Sequence, residues 1–369
     1  MRKTVLFWFG LVVTILVALG LVVLSSAGEV NAMRYHAGDA HFFIKRQFAY
    51  LAAGIVLATC MALFDYRRWR DNAWLAWLFY VGVLVLLLLV FRSREINGSH
   101  RWLELGPVHL QPSEFAKLAT VILLSVWLDR LGWKVELFMK GAFWPFVLIG
   151  GLAIPIMLEP DFGSVMVVGA VGCLIMFVAG ARIPHMIPFV LGGGALLVFK
   201  IVTNSNRMAR LFSKTQHQAN MALAAIGNGG LWGVGLGESM QKQRYLPEAH
   251  TDFVFAIGAE ELGIVFSVCV MLLFIAFFVL SIYIARKSCD RFGRFLVVGM
   301  AFIVFFQAMF NLGVVCKALP TKGMALPFFS YGGTNMLSSF FAVGTILSVG
   351  INTCRDAKRA LARKVLSRA

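Results

Sequence analysis

Long apolar runs separated by short polar stretches fill most of the chain, and they set its architecture before any single residue is considered. The runs cover residues 5–24, 42–64, 73–91, 114–128, 142–158, 162–179, 184–202, 253–285, 295–316 and 325–351. Most approach the roughly 20 residues that carry a helix across about 30 Å of hydrocarbon. The pattern therefore predicts an all-α polytopic membrane protein with about ten transmembrane helices, forming a single integral membrane domain over residues 1–369. The longest polar interval, 203–252, predicts a large extracytoplasmic loop. Within it, residues 219–226 read as a short interfacial helix ahead of the glycine-rich GNGGLWGVGLG. Residues 352–369 read as a basic cytoplasmic tail.

Composition sharpens this picture. The chain is 59% hydrophobic and only 14% charged, which excludes an ordinary soluble domain. A formal net charge of +16 would suit nucleic acid or anionic lipid. The charge lies in short clusters between apolar runs, with no extended basic domain, so lipid headgroups are the expected counter-charge and nucleic acid is not expected. Basic residues are denser in the segments that face inward if the N-terminus is cytoplasmic, and with ten spans this places both termini inside. The loop before residue 253 then faces outward. Arg2 and Lys3 precede the first run, which is long for a signal sequence and is followed by further spans, so it reads as a retained helix. The six cysteines show no paired spacing, which argues against a zinc site or a disulfide framework.

Candidate chemistry collects where polar residues meet these runs. Asp252 follows His250 and Thr251 and is followed at once by Phe253, Val254 and Phe255, which puts a carboxylate at the mouth of a buried helix. Desolvation there raises its proton affinity and the free N–H groups of a helix start lower it, giving an adjustable base. The plain structural alternative is a helix N-cap. Glu260 and Glu261 follow inside the apolar run, where carboxylates are costly. Pro112 and Ser113 open another helix on which Glu114 and Lys117 are three apart and face one another; they line a polar cavity or simply join two helices. Arg101, beside Trp102, is the candidate phosphate contact. Glu159 and Asp161 sit in LEPDFGS, a tight return between two runs, which places them at the outer surface. They are solvated acids, sugar-hydroxyl acceptors, or candidate ligands for a divalent cation, Mg²⁺ or Mn²⁺, bridging diphosphate oxygens. The glycines from Gly227 to Gly237 predict a permissive loop that lies flat on the membrane and moves, with Lys242 and Arg244 adding polar reach. Pro320, Gly323, Pro327, Gly332 and Gly333 break the last apolar hairpin, which has Lys322 at its tip. Ser330, Tyr331 and Thr334 are available to the backbone groups that such breaks set free.

YLPEAHTDFVFAIGAEELG resembles the signature of the SEDS family, the polytopic membrane proteins of cell shape, elongation, division and sporulation. Three further blocks agree with it in order: Asn-Gly followed by Arg-Trp and Gln-Pro-Ser-Glu, then Pro-Asp-Phe-Gly, then Leu-Pro-Thr-Lys-Gly with Ser-Tyr-Gly-Gly. The likeness covers nearly the whole chain and is nearest the FtsW branch. It implies a SEDS-type fold and an inverting lipid II polymerase that makes septal glycan strands, with Asp252 as catalytic base. The substrate-binding set is then Arg101, Glu114, Lys117, Asp161, Lys242, Arg244, His250, Lys322 and Ser330. Implied partners are lipid II and undecaprenyl-diphosphate-linked glycan, a class B penicillin-binding protein acting as transpeptidase, and other divisome proteins. The expected location is the bacterial cytoplasmic membrane at the division septum. The transpeptidase's single helix is expected near residues 253–285 and 295–316, with Gly299, Ala301 and Ala308 permitting close approach. A lipid II flippase and a non-catalytic division scaffold are the alternative readings, the first because broken, charged helices also describe alternating-access carriers.

Overall fold

The computed structural model describes residues 3–35, 39, 41–93, 101–106, 108–203, 215–243, 250–319 and 323–366. Its helices are α1 (Lys3–Tyr35), α2 (Phe42–Leu63), the short α3 (Arg67–Asp71), α4 (Ala73–Val90), α5 (Pro112–Leu131), α6 (Trp144–Leu158), α7 (Phe162–Ala179), α8 (Ile183–Val202), α9 (Thr215–Gly229), α10 (Val254–Lys287), α11 (Arg291–Val315) and α12 (Gly333–Leu366). A two-stranded antiparallel ribbon, β1 (Leu103–Leu105) and β2 (Val108–Leu110), pairs Leu103 with Leu110 and Glu104 with His109. The apolar-run pattern gives no sign of this ribbon, because three-residue strands are too short for a visible alternation.

Among the described residues nine helices are long and apolar enough to cross a membrane. The tenth expected span is α5, whose 20 residues would reach about 30 Å. It carries Glu114, Lys117, Asp129 and Arg130, too much charge for a lipid-facing helix. Its environment is protein instead, since Ala116 and every residue from Lys117 to Val126 are buried. Helices α4, α6, α7, α11 and α12 pack around it. This charged helix is thus enclosed by its neighbours, which shield it from lipid.

The last run departs from expectation in the same direction. Residues 325–332 are non-helical, with a turn at 327–329, and helix α12 begins only at Gly333. Leu326, Phe328 and Phe329 are apolar because they fill the protein core, with almost no exposed surface. The small residues Gly299, Ala301 and Ala308 also face inward. Ala301 and Ala308 are fully buried, and a side chain on Gly299 would run into Val121 and Ile175. They serve the packing of α11 on α5 and α7 and do not present an outer docking stripe.

At the end of the bundle away from Asp252, polar side chains tie the helix ends together. Ser348 donates to the carbonyl of Phe64 at 2.5 Å, and Tyr66 donates its hydroxyl to Asp290 at 2.8 Å. Arg67 pairs with Asp356, and Arg70 with Asp290 at 3.4 Å. Helix α12 continues into the basic stretch expected as a tail.

Candidate active site

The Asp252 turn is positioned by its backbone. Residues 250–253 form a turn that leads into α10 at Val254, as the junction of polar and apolar residues predicts. Three successive carbonyls of this turn are held from outside: Tyr331 N–H donates to His250 at 2.9 Å, Ser330 Oγ to Thr251 at 2.6 Å, and Asn311 Nδ2 to Asp252 at 2.8 Å. Asn311 also donates to the carbonyl of Met324 at 2.7 Å, which joins the turn to the segment before α12. A Cβ on Gly323 would meet the Asp252 carboxylate, so any larger residue there would displace that side chain. From Val254 to Glu261 every side chain is buried. The carboxylate therefore stands at the entrance of a helix that goes directly into the protein.

It opens on a cavity of about 520 Å³ that also takes in Arg101, Glu114, Asp161 and His250. Five of the residues expected to act together are thus gathered from four separate parts of the chain. The ribbon supplies one wall, fastened by Thr334 Oγ1, which donates to the carbonyl of His109 and accepts from the N–H of Gln111, both at 3.1 Å. His250 stacks on Phe43 with ring centroids 4.5 Å apart. Tyr50, Tyr331, Gln307 and Asn335 also belong to the lining. Of these, Gln307 carried a readable signal, a polar residue inside an apolar run. Tyr50 did not.

Glu114 and Lys117 form the pair their spacing predicts, Nζ to Oε1 at 2.7 Å, in a nearly water-free setting. Ser338 of α12 donates to the other carboxylate oxygen at 2.8 Å, so the pair joins α5 to α12 as well as facing the cavity. Asp161 caps α7 by accepting from Ser164 N–H at 3.3 Å. Its Oδ2 accepts from Ser113 Oγ at 3.0 Å and from Gln111 Nε2 at 3.2 Å.

Glu159 lies inside the protein, where the tight return suggested a surface acid. It is 1% exposed, and neither carboxylate oxygen has a hydrogen-bond partner. Arg101 donates past its carboxylate to the carbonyls of Glu159 and Pro160, at 3.3 and 2.6 Å. Both Asp161 oxygens already accept from the protein, and among the described residues no group of three or more His, Cys, Asp or Glu side chains converges. Burial, reinforced by the neighbouring Asp161 charge, pushes the Glu159 carboxyl up to about 8, against the opposing pull of Arg101. The fold thus disfavours the ionised form, while the unfolded chain ionises in the ordinary carboxylate range. The stability linked to Glu159 is complete below about pH 4.5 and is lost as pH rises toward about 8. Thermal unfolding in detergent should show the wild-type midpoint falling over this interval relative to Glu159→Gln. Parallel curves for the two proteins would show that the site tolerates the charge.

Residues 6–354 match the family model of FtsW, RodA and SpoVE, described as cell cycle proteins. The chain belongs to this family. Among its relatives are the probable peptidoglycan glycosyltransferases FtsW of Coxiella burnetii and Thioalkalivibrio sulfidiphilus. The first is 37% identical, over 94% of this chain and 96% of the relative. The second is 38% identical, over 92% and 88%. A chain of a solved peptidoglycan synthase complex, described as coordinating polymerization and crosslinking, superposes with a TM-score of 0.77 at 26% identity, covering 94% of this chain and 98% of that one. The rod shape determining protein RodA of Thermus thermophilus gives 0.69 at 28% identity, covering 94% and 97%.

The other described residues of the expected set, Lys117, Lys242 and Ser330, lie outside the cavity lining in this FtsW-, RodA- and SpoVE-type fold. Arg244 and Lys322 are outside the described residues. Ser330 does not line the cavity; its hydroxyl accepts from Leu326 N–H at 2.7 Å while donating to Thr251, so it holds the Asp252 turn. Lys117 sits behind Glu114. Lys242 is 6% exposed and points into the protein, where Nζ donates to Ser26 at 2.9 Å and lies 3.4 Å from Glu261. Glu260 beside it accepts from Ser239 Oγ and from the N–H of Gln241 at 3.3 Å. The two glutamates that stood out in the apolar run therefore clamp the end of the preceding loop onto α10. Sequence spacing alone could not show this, because the third partner, Ser26, comes from α1.

Proposed function

We propose that this chain is a peptidoglycan glycosyltransferase that joins lipid II units into glycan strands at the division septum. The observation that carries the reading is Asp252, a carboxylate held by its backbone at a buried helix entrance, in one cavity with Arg101 and the Glu114–Lys117 pair. The family supports it, since relatives at 37 and 38% identity bear the name of that activity.

In this mechanism Asp252 takes the proton from the C4 hydroxyl of the acceptor sugar as that oxygen attacks C1 of the donor. The new C1–O bond forms on the face opposite the diphosphate, the C1–O bond to phosphate breaks, and the undecaprenyl diphosphate leaves with the electron pair. Configuration inverts in one displacement, so one carboxylate base suffices and no covalent enzyme intermediate is formed. Arg101 stabilises the charge growing on the leaving group, and Lys322 and Arg244 are assigned the same task. The cavity end of the bundle faces away from the cytoplasm, in keeping with the basic residues near both termini. A class B transpeptidase supplies crosslinking, and its helix is placed on the lipid-facing sides of α10 and α11. The likeness to one chain of a solved synthase complex supports such a partner.

Purified protein, with its transpeptidase where one is required, should turn labelled lipid II into a ladder of longer glycans on a gel. Transfer of intact lipid II between leaflets without any ladder would instead favour the flippase reading.

A further inference from the structure

Helix α10 is interrupted at Gly263, where φ is 79° and ψ is −174°. Backbone groups set free at such a break are costly near lipid unless something pairs with them. Here the partner is the glycine-rich segment that follows α9. Val234 and Gly235 donate their N–H groups to the carbonyls of Glu260 and Glu261, both at 3.0 Å, and Ile264 donates to the carbonyl of Gly230 at 3.0 Å. The approach requires glycine on both sides. A Cβ on Gly233 would collide with the Glu261 carbonyl, and one on Gly263 with that of Leu231. The segment is thus spliced into the helix, in contrast to the freely moving loop that its glycines suggest.

The splice turns large apolar side chains outward. Leu231 is 65% exposed, Trp232 80%, Leu236 55% and Met240 69%. Between Gly227 and Met240 the only charge is Glu238. Single exposed apolar residues are ordinary, but a cluster of this kind marks a surface that is covered in use. Its neighbours indicate the cover. Ile264 and Val265 follow the break and expose apolar surface at the start of the long lipid-facing side of α10, and the splice bonds attach the cluster directly to them. Depth agrees. From Gly263 to Lys287 the helix rises roughly 36 Å, slightly more than the roughly 30 Å of hydrocarbon. With Arg286 and Lys287 among the headgroups at one surface, the break falls at the opposite boundary, the level at which tryptophan concentrates.

We infer that residues 231–240 form a membrane-inserted wedge, with Leu231, Trp232, Leu236 and Met240 seated among lipid acyl chains at the headgroup boundary on the cavity side. The buried Lys242–Glu261 contact then fixes the start of the segment leading to Asp252 at a set depth relative to the bilayer. A lipid-linked substrate would thereby meet its site at a constant level. The insertion itself does not depend on the proposed activity.

Spin labels test it in proteoliposomes of phosphatidylethanolamine and phosphatidylglycerol that contain this protein alone. Labels are placed at Trp232→Cys or Leu236→Cys in a background lacking the six native cysteines. Two native positions restored singly serve as references, Cys269 on the exposed side of α10 for lipid and Cys289 in the loop after it for water. The ratio of collisions with oxygen to collisions with a water-soluble nickel chelate should be several-fold higher at 232 and 236 than at 289, and below that at 269, which lies roughly 9 Å deeper along the helix. Ratios at 232 and 236 equal to that at 289 would overturn the inference and make the cluster a docking surface for another protein. Because the readout is independent of catalysis, a positive result would stand even if the glycosyltransferase reading failed.

Discussion

Asp252→Asn should leave the protein folded and abolish glycan synthesis. The side chain keeps its shape, and the turn that carries it is held through the carbonyls of His250, Thr251 and Asp252, none of which the substitution removes. What disappears is the group that accepts the proton of the attacking hydroxyl. General-base removal typically costs roughly 10²–10⁴-fold in rate, so the gel ladder should be lost at enzyme concentrations at which wild type consumes its substrate. Membrane yield and thermal midpoint should be unchanged. A ladder at near wild-type rate would remove Asp252 from the chemistry.

A second large effect is expected at Glu114 and Lys117, where single and double variants should diverge. Both groups are buried and joined at 2.7 Å, and the free carboxylate oxygen takes its bond from Ser338. Truncating one partner leaves an uncompensated charge in a nearly dry setting, at a cost of roughly 3–5 kcal/mol, whereas removing both is often close to neutral. Lys117→Ala should therefore be recovered from membranes in much lower yield than the Glu114→Ala, Lys117→Ala double variant. Glu114 also faces the cavity, so the double variant should be stable and inactive in the ladder assay. A stable double variant with full activity would reduce the pair to a fastening between α5 and α12.

Both residues stand out in the sequence for the same physical reason, which is that ionisable groups beside apolar runs are rare enough to be visible. The i,i+3 spacing on a helix opened by Pro112 also made the partner of Glu114 readable. Legibility ended where meaning depended on what lies across the fold. Lys242 reads as a mobile surface cation until Ser26 of α1 and Glu261 of α10 are brought around it. Glu159 and Asp161 look equivalent in LEPDFGS, yet the fold gives every available hydrogen bond to Asp161 and none to the Glu159 carboxylate. Ser330 reads both as a partner for backbone groups and as a substrate contact, and the fold shows it in the first role, outside the cavity lining. Apolar character likewise does not distinguish lipid from protein interior, and for that reason residues 325–332 read as membrane span while packing as a core turn.

The enclosure of α5 also bears on how the chain is made. As it leaves the insertion machinery, a segment bearing Glu114, Lys117, Asp129 and Arg130 is poorly suited to partition alone into the bilayer. Helix α4, which packs against it, is synthesised before it, but α7, α11 and α12 come later. The segment must therefore wait beside α4, sheltered from acyl chains, until the second half of the protein arrives to surround it. A nascent chain stalled before α11 would therefore hold this charged helix without the later helices that bury it.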